Sequence, residues 1–320
     1  MLPFHDVVAD DFSEVNDLII RQLYSDVGLV ENIGHYLIEA GGKRLRPLMV
    51  LLCARALDYN GKHHLDLAAV IEFIHSATLL HDDVVDVSSL RRGRPTANAE
   101  WGNAPSVLVG DFLYSRAFQM MVAIGNMDIM TILSKTTNII AEGEVQQLVN
   151  AKDPDLTEAG YRQVIEKKTA VLFAAACEVG AVIAGADATT RQALSQYGLQ
   201  VGIAFQLVDD ALDYKGDAEA LGKNVGDDLA EGKPTLPLIR AMDKAPDADR
   251  ELIRNAISNG DASQLDKVVA IVEATGAMEY TLAAAREAVT KAVEALNALP
   301  ESRYRHALAD VAEFATGRDH

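Results

Sequence analysis

Apolar residues recur along most of this chain at three- and four-residue intervals, the spacing that gathers them on one face of an α-helix. Val7, Val8, Phe12, Val15, Leu18, Ile19 and Leu23 form such a stripe over about residues 6–26, a face suited to a core or a subunit contact. A second helix is expected near 28–39, stopped by Gly41-Gly42, and Pro47 suits the first turn of the next. Further helices are expected before Asp82, over roughly 104–124 and 126–149, from Lys168 onward and before Asp209. The segment from Leu221 to Thr235 is too rich in glycine for a regular helix and reads as a mobile lid. Ser88 to Thr96 reads as a loop, and the remaining C-terminal segment reads as helices without a chemical motif. Strand-like alternation between regular turn signals is absent. The pattern predicts an all-α protein in which residues 1–320 form a single large helical bundle.

Composition agrees with this and narrows the partners. Hydrophobic residues make up 49% of 320, enough for a substantial core, and prolines mark element borders at Pro47, Pro95, Pro105, Pro154, Pro234, Pro237, Pro246 and Pro300. The 47 acids outnumber the 29 bases, a net charge of −18 that argues against nucleic acid and against an electrostatic hold on anionic lipid. Cys53 and Cys177 lie in apolar helical contexts and read as small buried hydrophobes in a reducing compartment. No segment approaches 18 uninterrupted apolar residues, and Met1 to Asp6 lacks a signal pattern. The expectation is a cytoplasmic protein without stable membrane insertion.

The chemistry is concentrated where apolar runs end in acids. Asp82, Asp83 and Asp86 close one such run, and Asp209, Asp210 and Asp213 close another far downstream with the same Asp-Asp-x-x-Asp spacing. The first and last acid of each set stand one helical turn apart, about 5–6 Å between Cβ atoms. Like charges so placed, late in a helix where the macrodipole disfavours anions, call for a cation on that face. Paired carboxylates suit Mg²⁺, which leaves its other positions to water or phosphate. Two such sets facing each other across a cavity would hold several Mg²⁺ ions and, between them, a polyanionic ligand. Basic residues suited to that ligand stand in Gly-Gly-Lys43-Arg44-Leu-Arg46-Pro and in Arg91-Arg92-Gly93-Arg94, beside the first acids.

These stretches, with Lys167-Lys168-Thr169 and Phe205-Gln206-Leu-Val-Asp209-Asp210-Ala-Leu-Asp213, resemble the trans-isoprenyl diphosphate synthases, most of all the long-chain bacterial branch of octaprenyl and solanesyl diphosphate synthases. The motifs appear in family order from about residue 39 to 237. The resemblance implies a Mg²⁺-dependent prenyltransferase built as a helical bundle around a central cavity. It would condense isopentenyl diphosphate onto an allylic diphosphate such as farnesyl diphosphate, giving about C40–C45 chains for quinone side chains, ubiquinone included.

Carried over position by position, the resemblance implies that Lys43, Arg46, His75 and Arg92 hold isopentenyl diphosphate. It implies that Arg91, Lys168, Thr169, Gln206, Lys223 and Lys233 contact the allylic diphosphate, and that all six motif aspartates bind metal, with Asp82, Asp86, Asp209 and Lys168 central to catalysis. His81 is read as structural, while Gln146 and the nearby acids Glu142 and Glu144 are candidates for support near the cavity. Ala77 and Thr78 precede Asp82 by five and four residues, so they lie about 6–7.5 Å deeper along the helix. Both are small, which lets a growing chain pass; Met120 and Met121 are candidates for a floor further on. The family also implies a homodimer. Three alternatives stay open from sequence: a synthase of shorter C15–C20 chains, a terpene cyclase, and a non-catalytic partner subunit of a heteromeric synthase. The last two fit poorly with two intact acid motifs.

Overall fold

In the computed structural model, residues 3–215 and 226–317 are described. The chain is helical almost throughout and divides into two compact units, each described by itself.

The first unit comprises Met1–Thr137, Leu172–Gly198 and Val293–Val311. The expected N-terminal helix is broken into α1 (Pro3–Asp6) and α2 (Ala9–Gln22). The break lets the His5 ring stack on Phe4 and meet Phe12 edge-on at 5.0 Å, so the first turn folds back on the second helix. Helix α3 (Gly28–Glu39) ends where expected, and α4 (Leu45–Ala56) carries Pro47 in its first turn. Between them Gly41 and Gly42 have φ of 74° and 129°, and Arg44 is left-handed as well. This tight reversal delivers the basic residues to the start of α4.

Helix α5 (His63–Val85) is the axis of the unit. Its residues from Leu67 to Leu80 are buried on nearly every side, and it packs against α2, α4 and α7 (Asn103–Ile124). A helix apolar around its whole circumference is stable only inside a core. Near its C-terminal end polar side chains reach its carbonyls: Ser106 Oγ donates to Leu80 O at 3.0 Å, and Asn98 Nδ2, on the short α6 (Ala97–Trp101), to Asp83 O at 3.2 Å. Helix α10 (Val171–Ile183) joins the same core, and it lies so close to α4 that a Cβ on Gly180 would sit 2.9 Å from Val50 O. By length and hydropathy α7 matches a membrane span, although Asp111 and Arg116 interrupt it and 33% of that stretch is buried.

The segment expected to be a plain loop after α5 contains a small hairpin. Leu90–Arg91 (β1) pairs antiparallel with Arg94–Pro95 (β2), in the register Leu90 to Pro95 and Arg91 to Arg94. Arg92 and Gly93, with φ of 55° and 72°, make the two-residue turn whose twist matches paired strands. Arginine at such a position is uncommon, and the sequence offered only Gly93 as a signal.

The second unit comprises Asn138–Val171, Leu199–Ala292 and Ala312–His320. Lys168 and Thr169 do not begin a helix, as the sequence suggested. The helix starts at Glu158, where Thr157 Oγ1 accepts from Gly160 N at 3.2 Å, runs as α9 (Glu158–Ile165), and widens into a π-helical turn at Glu166–Ala170. Its core collects Tyr161, Ile165, Ala204, Leu207, Val208 and Leu236. The second acidic set ends α11 (Ala188–Lys215). Of the expected lid, Leu221 to Val225 lie outside the described residues, and with them Lys223; Asp227–Ala230 form one helical turn after a left-handed Gly226.

Candidate active site

In the first unit the helical pitch holds as far as the acids need it: Asp86 N donates to Asp82 O at 2.8 Å, so these two carboxylates stand one turn apart at the end of α5. Asp83, about 100° around the helix, is only 1% exposed. It accepts a forked hydrogen bond from Arg91, with Nη2 and Nε at 2.7 and 2.9 Å from Oδ1. Two residues implied for different ligands, Asp83 for metal and Arg91 for the allylic diphosphate, are thus bound to each other. That pair fastens β1 to α5.

The basic residues gather at the start of α4. Arg46 Nη1 donates to His75 Nε2 at 3.2 Å, and its guanidinium lies 4.1 Å from the centre of the Phe173 ring. Burial, reinforced by Arg92 and opposed by Glu72, pushes Arg46 down to about 10, still protonated at neutral pH. Burial, then Arg46, Arg92 and Arg91, holds His75 well below the usual imidazole range. The imidazole is therefore neutral, and since arginine only donates, Nε2 is its acceptor nitrogen. Arg92 packs over Gly42, where a Cβ would fall 2.6 Å from both guanidinium Nη atoms. Its φ of 129° requires glycine at 42, and a side chain there would also displace the Arg92 guanidinium. Lys43 is exposed beside it, and its carbonyl faces His5 Nε2 at 3.2 Å.

Deeper along α5, Ala77 is fully buried and Thr78 part-buried, its hydroxyl donating to His75 O at 2.7 Å. Met120 and Met121 are buried in α7. His81 sits against Gly110 of α7, with Nε2 at 3.1 Å from Val107 O.

In the second unit Asp209 is half-buried, whereas Asp210 and Asp213 are buried. Asp210 accepts from Tyr161 Oη at 2.5 Å and from Gln206 Nε2 at 2.8 Å. Burial, with repulsion from Asp228 and Asp209, outweighs those hydrogen bonds and pushes its carboxyl up to about 7. Asp213 Oδ2 accepts from the backbone N–H of Asp228 at 3.2 Å. Thr169 Oγ1 donates to Gln206 Oε1 at 3.0 Å, so two residues implied for the allylic substrate touch. Lys168 Nζ pairs with Glu144 at 2.8 Å and Lys167 with Gln146 at 3.0 Å, whereas Glu142 accepts from Asn138 on the same helix, α8 (Met127–Asn150), at 2.9 Å. Lys233 pairs with Glu231.

The donor set suits a hard divalent cation. It is all carboxylate, and the burial of Asp210 beside Asp228 and Asp209, which pushes its carboxyl up, is a strain that a cation would relieve. Among the described residues, no three acids, histidines or cysteines converge on one metal position. Each set instead offers a few oxygens, the arrangement in which water or substrate phosphate completes a Mg²⁺-type shell.

A sequence profile described as Polyprenyl synthetase matches residues 27–275, most of the chain and all of these motifs. The chain belongs to that family. Among relatives, it is 50% identical over 316 residues to the octaprenyl diphosphate synthase of Escherichia coli (strain K12), covering 98% of each chain. It is 50% identical to the all-trans-nonaprenyl-diphosphate synthase (geranyl-diphosphate specific) of Rhodobacter capsulatus, covering 97% of this chain and 96% of that one. A crystal structure of polyprenyl synthase from Caulobacter crescentus CB15, complexed with calcium and isoprenyl diphosphate, superposes with a TM-score of 0.96 at 46% identity, covering 99% of this chain and 97% of that one. Membership carries the all-helical fold and prenyltransferase chemistry on isoprenyl diphosphates with a divalent metal.

Three contributors to the site had no sequence signal. Tyr161 lies on an ordinary helix face far from Asp210 in sequence. Glu72 looks like one more helix acid. Gly143 looks like a weak point in α8, yet a Cβ there would meet Lys168 N and Lys167 Cβ at 2.8 Å, so the glycine makes room for the π-turn.

Proposed function

We propose that this chain is a Mg²⁺-dependent long-chain trans-polyprenyl diphosphate synthase that extends an allylic diphosphate such as farnesyl diphosphate by successive isopentenyl units to about C40–C45. The observation that carries the reading is the pairing of two intact Asp-Asp-x-x-Asp sets with a basic cluster built on Gly42, Arg46, His75 and Arg92. The 50% identity to octaprenyl and nonaprenyl synthases over nearly the full chain supports the long product.

In this reading Asp82, Asp83, Asp86, Asp209, Asp210 and Asp213 hold the metal, Asp83 and Asp213 partly by steadying the others. Bound divalent ions supply the positive charge that makes a diphosphate a good leaving group. Lys168, Thr169, Gln206, Arg91 and Lys233, with Lys223, orient the allylic diphosphate and stabilise the charge that develops as its C–O bond breaks. For Lys168 and Lys233 this means trading Glu144 and Glu231 for phosphate oxygens. Lys43, Arg46, His75 and Arg92 hold isopentenyl diphosphate so that its double bond attacks the allylic cation. Neutral His75 accepts from Arg46 and leaves Nδ1–H to donate. Loss of a proton, taken up by the departing pyrophosphate, completes a product longer by five carbons.

Ala77 and Thr78 leave the way open for the chain, and a domain of this size, with a radius of gyration of about 20 Å, accommodates one of C40 or more. Exposed Leu108 and Val122 on α7 support a homodimer. The protein is cytoplasmic in this reading, residues 1–320 act as one catalytic domain, and the product serves quinone side chains.

The test is product mass after incubation with farnesyl diphosphate, excess isopentenyl diphosphate and Mg²⁺, with a chelator control. C40 or C45 diphosphate that vanishes with chelator supports the reading. Products of C15–C20 refute the chain-length part; no elongation turns the reading to a cyclase or a partner subunit.

A further inference from the structure

Glu72 stands one turn before His75 on α5, inside the basic cluster. It is buried; Oε1 lies 3.9 Å from Arg44 Nε, and Oε2 has no hydrogen-bond partner. Arg44 is itself fastened elsewhere, to Asn16 Oδ1 on α2 and to Ile38 O on α3. Burial pushes the Glu72 carboxyl up, and Arg44, Arg46 and Arg92 pull it back toward the charged form. Burial and Arg92 make the proton of Arg46 easier to lose, burial, Arg91 and Arg44 do the same to Arg92, and Glu72 opposes the effect at both. A buried acid kept for packing alone normally has both oxygens hydrogen-bonded. Here the oxygen without a partner belongs to the one acid, among the described residues, that shifts both arginines.

We propose that Glu72 is a positioning residue for isopentenyl diphosphate, the internal counterion that keeps Arg46 and Arg92 packed together and aimed before the diphosphate arrives. The proposal rests on the assignment of Arg46, His75 and Arg92 to that substrate. Arg46 is also held by the Phe173 ring and His75, whereas Arg92 stands on a two-residue turn with its guanidinium over Gly42, so its aim depends more on the counter-charge. Removing the charge while keeping the shape should therefore weaken one substrate and spare the other.

The experiment compares Glu72→Gln and Glu72→Asp with the unaltered protein in steady-state kinetics, varying each substrate at saturation of the other, with thermal unfolding alongside. For Glu72→Gln the KM for isopentenyl diphosphate should rise about tenfold, in line with loss of one partner of a buried charge group. The allylic KM and the kcat at saturation should stay within about twofold. Glu72→Asp, which keeps the charge but withdraws it by one bond, should show a smaller rise in the same KM. A folded Glu72→Gln protein with an unchanged or lower KM for isopentenyl diphosphate overturns the proposal, as does an equal loss for both substrates. If the Gln variant does not fold, the Asp variant decides alone: a rise confined to isopentenyl diphosphate supports the proposal and a shared one overturns it. Failure of the unaltered protein to consume isopentenyl diphosphate would instead sink the proposed function.

Discussion

Gly143→Ala tests whether the π-turn places Lys168 and Thr169 for the allylic substrate. The new methyl would lie 2.8 Å from Lys168 N and Lys167 Cβ and 3.0 Å from Lys167 C, where ordinary contact begins at 3.4 Å. Two of these neighbours are backbone atoms, so the turn must retreat by about 0.6 Å, the gap between those distances. Alanine gains about 1 kcal/mol of helix propensity, and overpacking costs about 1–3 kcal/mol. The net destabilisation is therefore at most about 2 kcal/mol, a Tm fall of about 5 °C or less. Function should suffer more. Misplacing a positioning group by 1 Å costs as much as about a hundredfold, so kcat/KM for the allylic diphosphate should fall about tenfold while the KM for isopentenyl diphosphate holds. Gly180→Ala is the control: its methyl would meet Val50 O at 2.9 Å and Cys53 Cβ at 3.0 Å, far in sequence from Lys168. It should lower Tm comparably and leave the allylic KM alone. A folded Gly143→Ala enzyme with unaltered allylic kinetics would refute the reasoning.

Two further predictions follow from α5. Thr78→Phe places a ring one turn below Asp82, and product mass should drop to about C15–C20; unchanged C40–C45 product would show that chains do not pass this position. His75 is neutral when folded but takes a proton near pH 6.5 when unfolded, so protons favour the unfolded state below pH 6.5 and His75 withdraws stability there. In urea titrations at pH 6.5 and 5.5, His75→Gln should lose about 1 kcal/mol less over that interval than the unaltered protein; equal losses would mean the imidazole is not held neutral.

Local rules made much of this protein legible from sequence alone. Helical periodicity gave α3, α7 and α8 to within a residue or two, because a stripe of apolar side chains at a 3.6-residue period can be buried only as a helix. The four-residue spacing of Asp82 and Asp86 translates directly into one face, because helix pitch is set by the backbone. The order of the motifs was enough to point to the family. Tertiary structure decided what each charged group does within reach of the others. Arg91 closes on Asp83, Arg92 packs over Gly42, Tyr161 donates to Asp210 and Lys168 rests on Glu144, all between residues on different elements. The π-turn beside Gly143 and the hairpin turn at Arg92 run against local propensity, since each is held by contacts from another element. Propensity and spacing act through neighbours along the chain, whereas burial and Coulomb interaction act through space. Which carboxyl is pushed up, and which arginine has a partner, was therefore settled only when the helices packed.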